Sequence, residues 1–291
     1  MKKLFLLLTI SIFLSSCNDG DVIVTTFDFD DESLNNCGEA GGYVLFKINT
    51  TTNESISLSL DTNNNIFDAT EEQMFELNGE GNIVNYRKYS GALSSDYFCN
   101  NVPPTSPSVT SEFIAASGDA ILNPTITLDD EDGLEESSES DLDSDGDGLL
   151  DYYDNDDDGD NVLTSTELGA DFLNGITNEP QDSDKDGIYD YLDTDDDNDT
   201  ILTRNEDLDG NLEPSNDTTD GIPNYLNSAV TTENIVNEYR PHTYNYNSDI
   251  SVLLSDIVLI GGDNEVIQQT LSLGTIEGAI NETISITPSF E

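Results

Sequence analysis

One stretch of this chain occurs twice in register. DSDGDGLLDYYDNDDDGDNVLTSTE, Asp143 to Glu167, aligns without gaps on DSDKDGIYDYLDTDDDNDTILTRNE, Asp182 to Glu206, at an offset of 39 residues. Identity falls on the acids, pairing Asp143 with Asp182, Asp145 with Asp184, Asp147 with Asp186, Asp151 with Asp190, Asp154 with Asp193, Asp156 with Asp195, Asp158 with Asp197, Asp160 with Asp199 and Glu167 with Glu206. The residues between them vary. An acidic linker needs charge but no spacing, so preserved register points to a geometric task for the carboxylates.

Calcium supplies such a task. It takes about six to eight oxygens at about 2.3–2.6 Å, and a short loop with acids at positions 1, 3, 5 and 12 and a backbone carbonyl at 7 wraps one ion. Each copy fits that grid twice. Asp143, Asp145, Asp147 and Asp154 fill the acidic positions of the first loop, with Gly148 at the turn, Leu149 offering its carbonyl and Asp151 at position 9. Asp156, Asp158, Asp160 and Glu167 fill those of the second, with Val162 at position 7. The second copy repeats both with Asp182, Asp184, Asp186, Asp190 and Asp193, then Asp195, Asp197, Asp199 and Glu206. Position 6, where glycine is expected, is Asn161 or Thr200 in the later loops; a β-branched Thr tolerates the left-handed conformation poorly, which weakens the loop at Asp195. A decayed third copy, Asp220 to Asn227, has Asn at ligand positions, and Asp207 with Asp209-Gly210 outlines one more weak site.

The pattern DxDxDGxxDxxDxDxDxD resembles thrombospondin type 3 repeats. That resemblance covers about a third of the chain and implies an extended array with little regular secondary structure, in which calcium ions replace a hydrophobic core. The animal repeats carry a disulfide ladder, whereas this segment has no cysteine, which leaves metal as its main ordering force. EF-hands share the spacing but need flanking helices. Asp154 closes one loop two residues before Asp156 opens the next, too close for a helix, and repeat-type loops are the favoured reading.

Charge agrees. Asp and Glu number 61 against 8 Lys and Arg, a formal net charge of −53. Such a chain is expected to have no nucleic-acid partner and resists compaction unless cations neutralise it.

Lys2 and Lys3, the apolar run from Leu4 to Leu14, and Ser15-Ser16 before Cys17 read as a secretion signal over residues 1–16. Leu14-Ser15-Ser16-Cys17 resembles the lipobox of bacterial lipoproteins, which implies a lipidated Cys17; an ordinary cleaved signal is the competing reading. The resemblance implies a lipid anchor in the outer membrane or at the cell surface. Cys37 and Cys99 then form an even pair, read as a disulfide against free thiols or a metal pair; such a bridge stabilises by on the order of 4 kcal/mol.

Strand patterning covers Val22–Phe29, Tyr43–Asn49, Ser55–Leu60, Ile83–Tyr89, Glu112–Ser117 and Ala120–Leu128, and returns at His242–Asn247, Ile250–Ile260, Glu265–Leu273 and Ala279–Thr287. Strict alternation in Ser55–Leu60 predicts one solvated sheet face. The expected fold is mainly β: a β-sandwich over 17–128, a solvated acidic linker over 129–142, the calcium-binding repeats over 143–227 and a small β-rich unit over 228–291. That unit stands alone, packs on the array or pairs with the first domain.

Enzymatic motifs are missing. His242 is the sole histidine and reads as structural; no phosphate loop or nucleophile elbow appears, and acids committed to calcium are not free for glycoside chemistry. The expected function is a calcium-stiffened spacer between β parts in a lipid-anchored cell-envelope protein that is not an enzyme. The alternative is an adhesin whose β domain binds a cell-surface glycan or an envelope protein.

Overall fold

Runs of β-branched and aromatic residues bounded by Gly, Asn and Pro become strands. A computed structural model describes residues 27–135, 139 and 141–290. The expected signal segment 1–16, Cys17 and residues 22–26 of the first expected strand lie outside them. Phe27–Phe29 are not strand, although Phe29 is buried.

The chain is mainly β and antiparallel. In order come β1 (Asn35–Glu39), β2 (Gly42–Asn49), β3 (Glu54–Leu60), β4 (Gln73–Glu76), β5 (Ile83–Tyr89), a single helical turn α1 (Asp96–Cys99) and the long β6 (Val109–Asp129). After a stretch of loops come α2 (Thr164–Glu167), α3 (Ala170–Leu173), the two-residue strands β7 (Thr218–Thr219) and β8 (Ile222–Pro223), and finally β9 (His242–Gly261) and β10 (Asn264–Ile286). One sheet runs β1-β2-β3-β5-β6-β9-β10, with β4 also paired to β6. The expected pairs of short strands at 112–128, 242–260 and 265–287 are three long strands. At Gly118, φ +125° lets the backbone bend without ending the strand, and a Cβ there would stand 2.7 Å from Ile257 Cγ2.

The chain forms two compact units, whose boundaries fall between β3 and β4 and within β6, β9 and β10. The first comprises Met1–Ile66, Glu72–Asn123 and Ser251–Thr275. Its core is apolar and built from alternate positions of the strands, with Leu45, Ile56, Leu58, Val84, Leu122, Leu254 and Ile257 at 0% exposure; each such side chain stabilises by about 1.5–3 kcal/mol. The expected solvated face of β3 is not there. Ser55 and Ser57 are buried as well, and Ser55 Oγ shares a hydrogen bond of 3.1 Å with Tyr89 Oη. Alternation reports polarity, and a serine whose hydroxyl finds a partner can be buried at small cost. Cys37 and Cys99 pair, with Cα atoms 5.6 Å apart.

The second unit, Phe67–Glu71, Pro124–Ile250 and Ile276–Glu291, has a different interior. Leu149, Val162, Leu168 and Tyr225 are buried in it, but so are Asp132, Asp151, Asp154, Asp156, Asp157, Asp158, Asp160, Glu167, Asp190, Asp196, Glu206 and Asp207. Carboxylates fill space that side chains like those of β3 fill in the first unit.

Candidate metal centre

The acids turn inward because the backbone makes them. In the loop from Asp143, positions 4 and 6 are Gly146 and Gly148 at φ +81° and +103°; in the loop from Asp156 they are Gly159 and Asn161 at +69° and +75°. Lys185 and Gly187 follow at +67° and +100°, then Asn198 and Thr200 at +55° and +81°. Two left-handed residues, one on either side of the position 5 acid, curl each loop so that its acids share one side. Short local bonds hold the curl: Asp160 N donates to Asp158 Oδ1 at 3.2 Å and Val162 N to Asp160 Oδ1 at 2.8 Å. The same two bonds occur at Asp147 and Leu149, at Asp186 and Ile188, and at Asp199 and Ile201. Thr200 takes the left-handed conformation despite its branched Cβ, and its N–H reaches Asp195 Oδ2 at 3.1 Å.

Asp158, Asp160, Glu167 and Asp196 each place one carboxylate oxygen within 4.8 Å of the others, and all four are buried. Thr164–Glu167 forms a single helical turn that carries Glu167 inward. Both oxygens of Glu167 and of Asp196, with Oδ2 of Asp158 and of Asp160, have no hydrogen-bond partner among the described residues. Two like charges at that separation repel by roughly 3 kcal/mol even at an effective dielectric of about 20, and burying unpaired carboxylates adds several kcal/mol each. Burial, then the charges of the neighbouring acids, pushes Asp158, Glu167 and Asp196 well above the ordinary carboxylate range. A hard cation removes both penalties at once.

Asp143, Asp145 and Asp147 converge in the first loop, and Asp182, Asp184 and Asp186 in the third. Asp147 also meets Asp154 and His242 in a buried group. Asp156 Oδ1 is buried without a partner, while its Oδ2 accepts from Asn161 N at 3.1 Å. Asp193 Oδ1 accepts from Asp195 N at 3.1 Å. In the fourth loop Asp197 Oδ2, Asp199 Oδ2 and Glu206 Oε1 are buried and unpartnered; burial and the charges of Asp197, Asp199 and Asp195 push Glu206 up to about 8.

Asp151 and Asp190 have their oxygens taken. Ser144 N and Oγ donate to Asp151 at 2.9 and 2.8 Å, and Ser183 N and Oγ to Asp190 at 2.6 and 2.7 Å. They staple one side of a loop to the other. Asp207 is wrapped by the N–H groups of Gly210, Asn211 and Leu212 at 2.8–3.1 Å. The third copy keeps the turn after losing the acids: Asn224 N donates to Asp217 O at 2.9 Å, as Asp190 N does to Gln181 O and Asp151 N to Leu142 O.

Sequence reasoning missed Asp157 and Asp196, and read His242 as structural without identifying the acid it meets. Asp157 and Asp196 stand at position 2, outside the grid, yet their identity across the 39-residue offset was a usable signal. Thr164 Oγ1 and Thr203 Oγ1 accept from their N–H groups and hold them in place. His242 lies 88 residues from Asp154, and no local pattern marks it.

Comparisons with protein-family models, curated proteins and solved structures found no match.

Proposed function

We propose that the second unit is a calcium-ordered structural module, a thrombospondin type 3-like array of aspartate loops whose ions do the work of a hydrophobic core. The observation that carries this reading is the group Asp158, Asp160, Glu167 and Asp196, buried together with six carboxylate oxygens that have no hydrogen-bond partner among the described residues. A donor set made only of carboxylate oxygens suits calcium over softer metals. Asp196 belongs to the second copy and the other three to the first, so one ion would tie the two copies together.

In this proposal the chain is anchored through Cys17 to a cell envelope, and its first unit is a β-sandwich-like domain. The array leaves β6 and returns into β9, which are neighbours in the sheet order. By connectivity, then, the array is an insertion between two strands of one sheet.

Calorimetric titration of the full chain with calcium tests the reading. We expect several binding heats and a fall in hydrodynamic radius. Neither heat nor compaction at millimolar calcium would end it.

A further inference from the structure

Residues 129–142, expected to be a solvated linker, contain buried acids. Asp130, Asp132 and Glu139 each bring one carboxylate oxygen within 4.8 Å of the others. Asp132 is 5% exposed, and its Oδ2 has no hydrogen-bond partner; Asp130 Oδ2 is buried and unpartnered too. A fourth acid faces the same place. Asp157 is 2% exposed with an unpartnered Oδ1, and it lines one cavity with Glu139, Asp151, Tyr189 and Tyr191. After burial and Asp151, the charge of Asp132 is the next largest influence pushing Asp157 up to about 10, and Asp130 adds to it.

The backbone here is that of the calcium loops. With Leu128 at position 1, the left-handed residues at positions 4 and 6 are Glu131 at φ +60° and Gly133 at φ +111°. Asp132 N donates to Asp130 Oδ1 at 3.0 Å and Leu134 N to Asp132 Oδ1 at 2.8 Å, the bonds made by Asp160 and Val162 in the loop from Asp156. Glu139 falls at position 12, where that loop has Glu167 and the loop from Asp195 has Glu206. The grid overlooks this loop because Leu128 stands where its first acid should be.

We infer that Asp130, Asp132 and Glu139, completed by Asp157 from the loop that begins at Asp156, form an additional cation site that takes calcium. Asp157 plays toward this site the part that Asp196 plays toward Asp158, Asp160 and Glu167. In each case the position 2 acid of a later loop supplies oxygen to an earlier one. The inference rests on the calcium-ordered reading of the unit and extends it to a segment with no complete acidic grid. Its consequence is that the segment leading out of β6 is ordered by the same ions as the array.

Native mass spectrometry of the full chain, saturated with calcium, tests it. Asp132→Asn is expected to carry one ion fewer than the unaltered protein, with the other binding steps unchanged. Asp130→Asn, at the less buried carboxylate, provides the same readout should Asp132→Asn fail to fold. If the unaltered protein binds calcium and a folded variant carries the same number of ions with unchanged affinities, the additional site is overturned while the array reading stands. If the unaltered protein binds none, both fall.

Discussion

His242 Nδ1 stands 2.5 Å from Asp154 Oδ1, with both side chains withdrawn from solvent and 88 residues of chain between them. The start of β9 thereby places an imidazole against the acid that closes the first loop. Burial alone would lower the His242 pKa; the bond to Asp154, with the charges of Asp154, Asp156 and Asp147, outweighs it and leaves the pKa above its ordinary value. A protonated His242 offsets carboxylate charge from within the chain itself.

Replacing His242 by Gln leaves Asp154 buried without its cationic partner. In chelator, the loss is expected to be about 3–5 kcal/mol. Because the folded pKa is raised, the contribution is complete below the ordinary value of 6.5 and fades as pH climbs through the higher folded value. Urea denaturation of both proteins should therefore show a gap that is fullest below pH 6.5 and narrows as pH rises above it.

The buried acids give the opposite sign to the usual acid denaturation. Burial and the charge of Asp132 push Asp130 up to about 8, burial pushes Asp145 up to about 7, and burial with the Asp151 charge pushes Asp157 up to about 10. Each holds a proton in the folded chain that it has lost in the unfolded chain between the ordinary value of 3.8 and the raised one. Stability without metal is therefore highest at low pH and declines as pH rises through that window. Bound calcium is expected to reverse the trend, since metal binds the deprotonated groups. Melting curves in chelator should give a higher Tm near pH 5 than near pH 8, and curves in calcium the reverse order.

Asp196 stands outside the 1, 3, 5, 12 grid of its own loop but inside the oxygen set of another. Asp196→Asn is expected to weaken one calcium step by at least about tenfold, or about 1.4 kcal/mol. Asn at the exposed Glu179 provides a control that leaves the titration unchanged. Calorimetry distinguishes the two outcomes.

Thr200 sits at φ +81° and is exposed. The left-handed region costs a residue with a Cβ about 1–2 kcal/mol, partly offset by the freedom that glycine gains in the unfolded chain. Thr200→Gly should raise stability by about 0.5–1 kcal/mol and tighten the fourth loop. Calcium affinity and Tm measured together check it.

Much of this was legible because loops of this kind are local. The bounds of β2, β3 and β5 match the strand patterning within a residue, and the left-handed positions at Gly148 and Gly187 follow from glycine itself. What the sequence hid is long-range. Nothing near Ser55 says that Tyr89 will cover it, and nothing near His242 says that Asp154 awaits it. Asp130 and Asp132 read as linker because Leu128 breaks the motif, although the backbone keeps the same curl without an acid there. Gly118 reads as a strand end because it lacks a side chain, yet that lack lets β6 pass Ile257 unbroken.

The most direct test of the central claim is a crystal structure grown in calcium, with anomalous scattering recorded after lanthanide exchange. A cation peak about 2.3–2.6 Å from oxygens of Asp158, Asp160, Glu167 and Asp196 is the predicted result. The same four carboxylates buried together with no peak among them would contradict it.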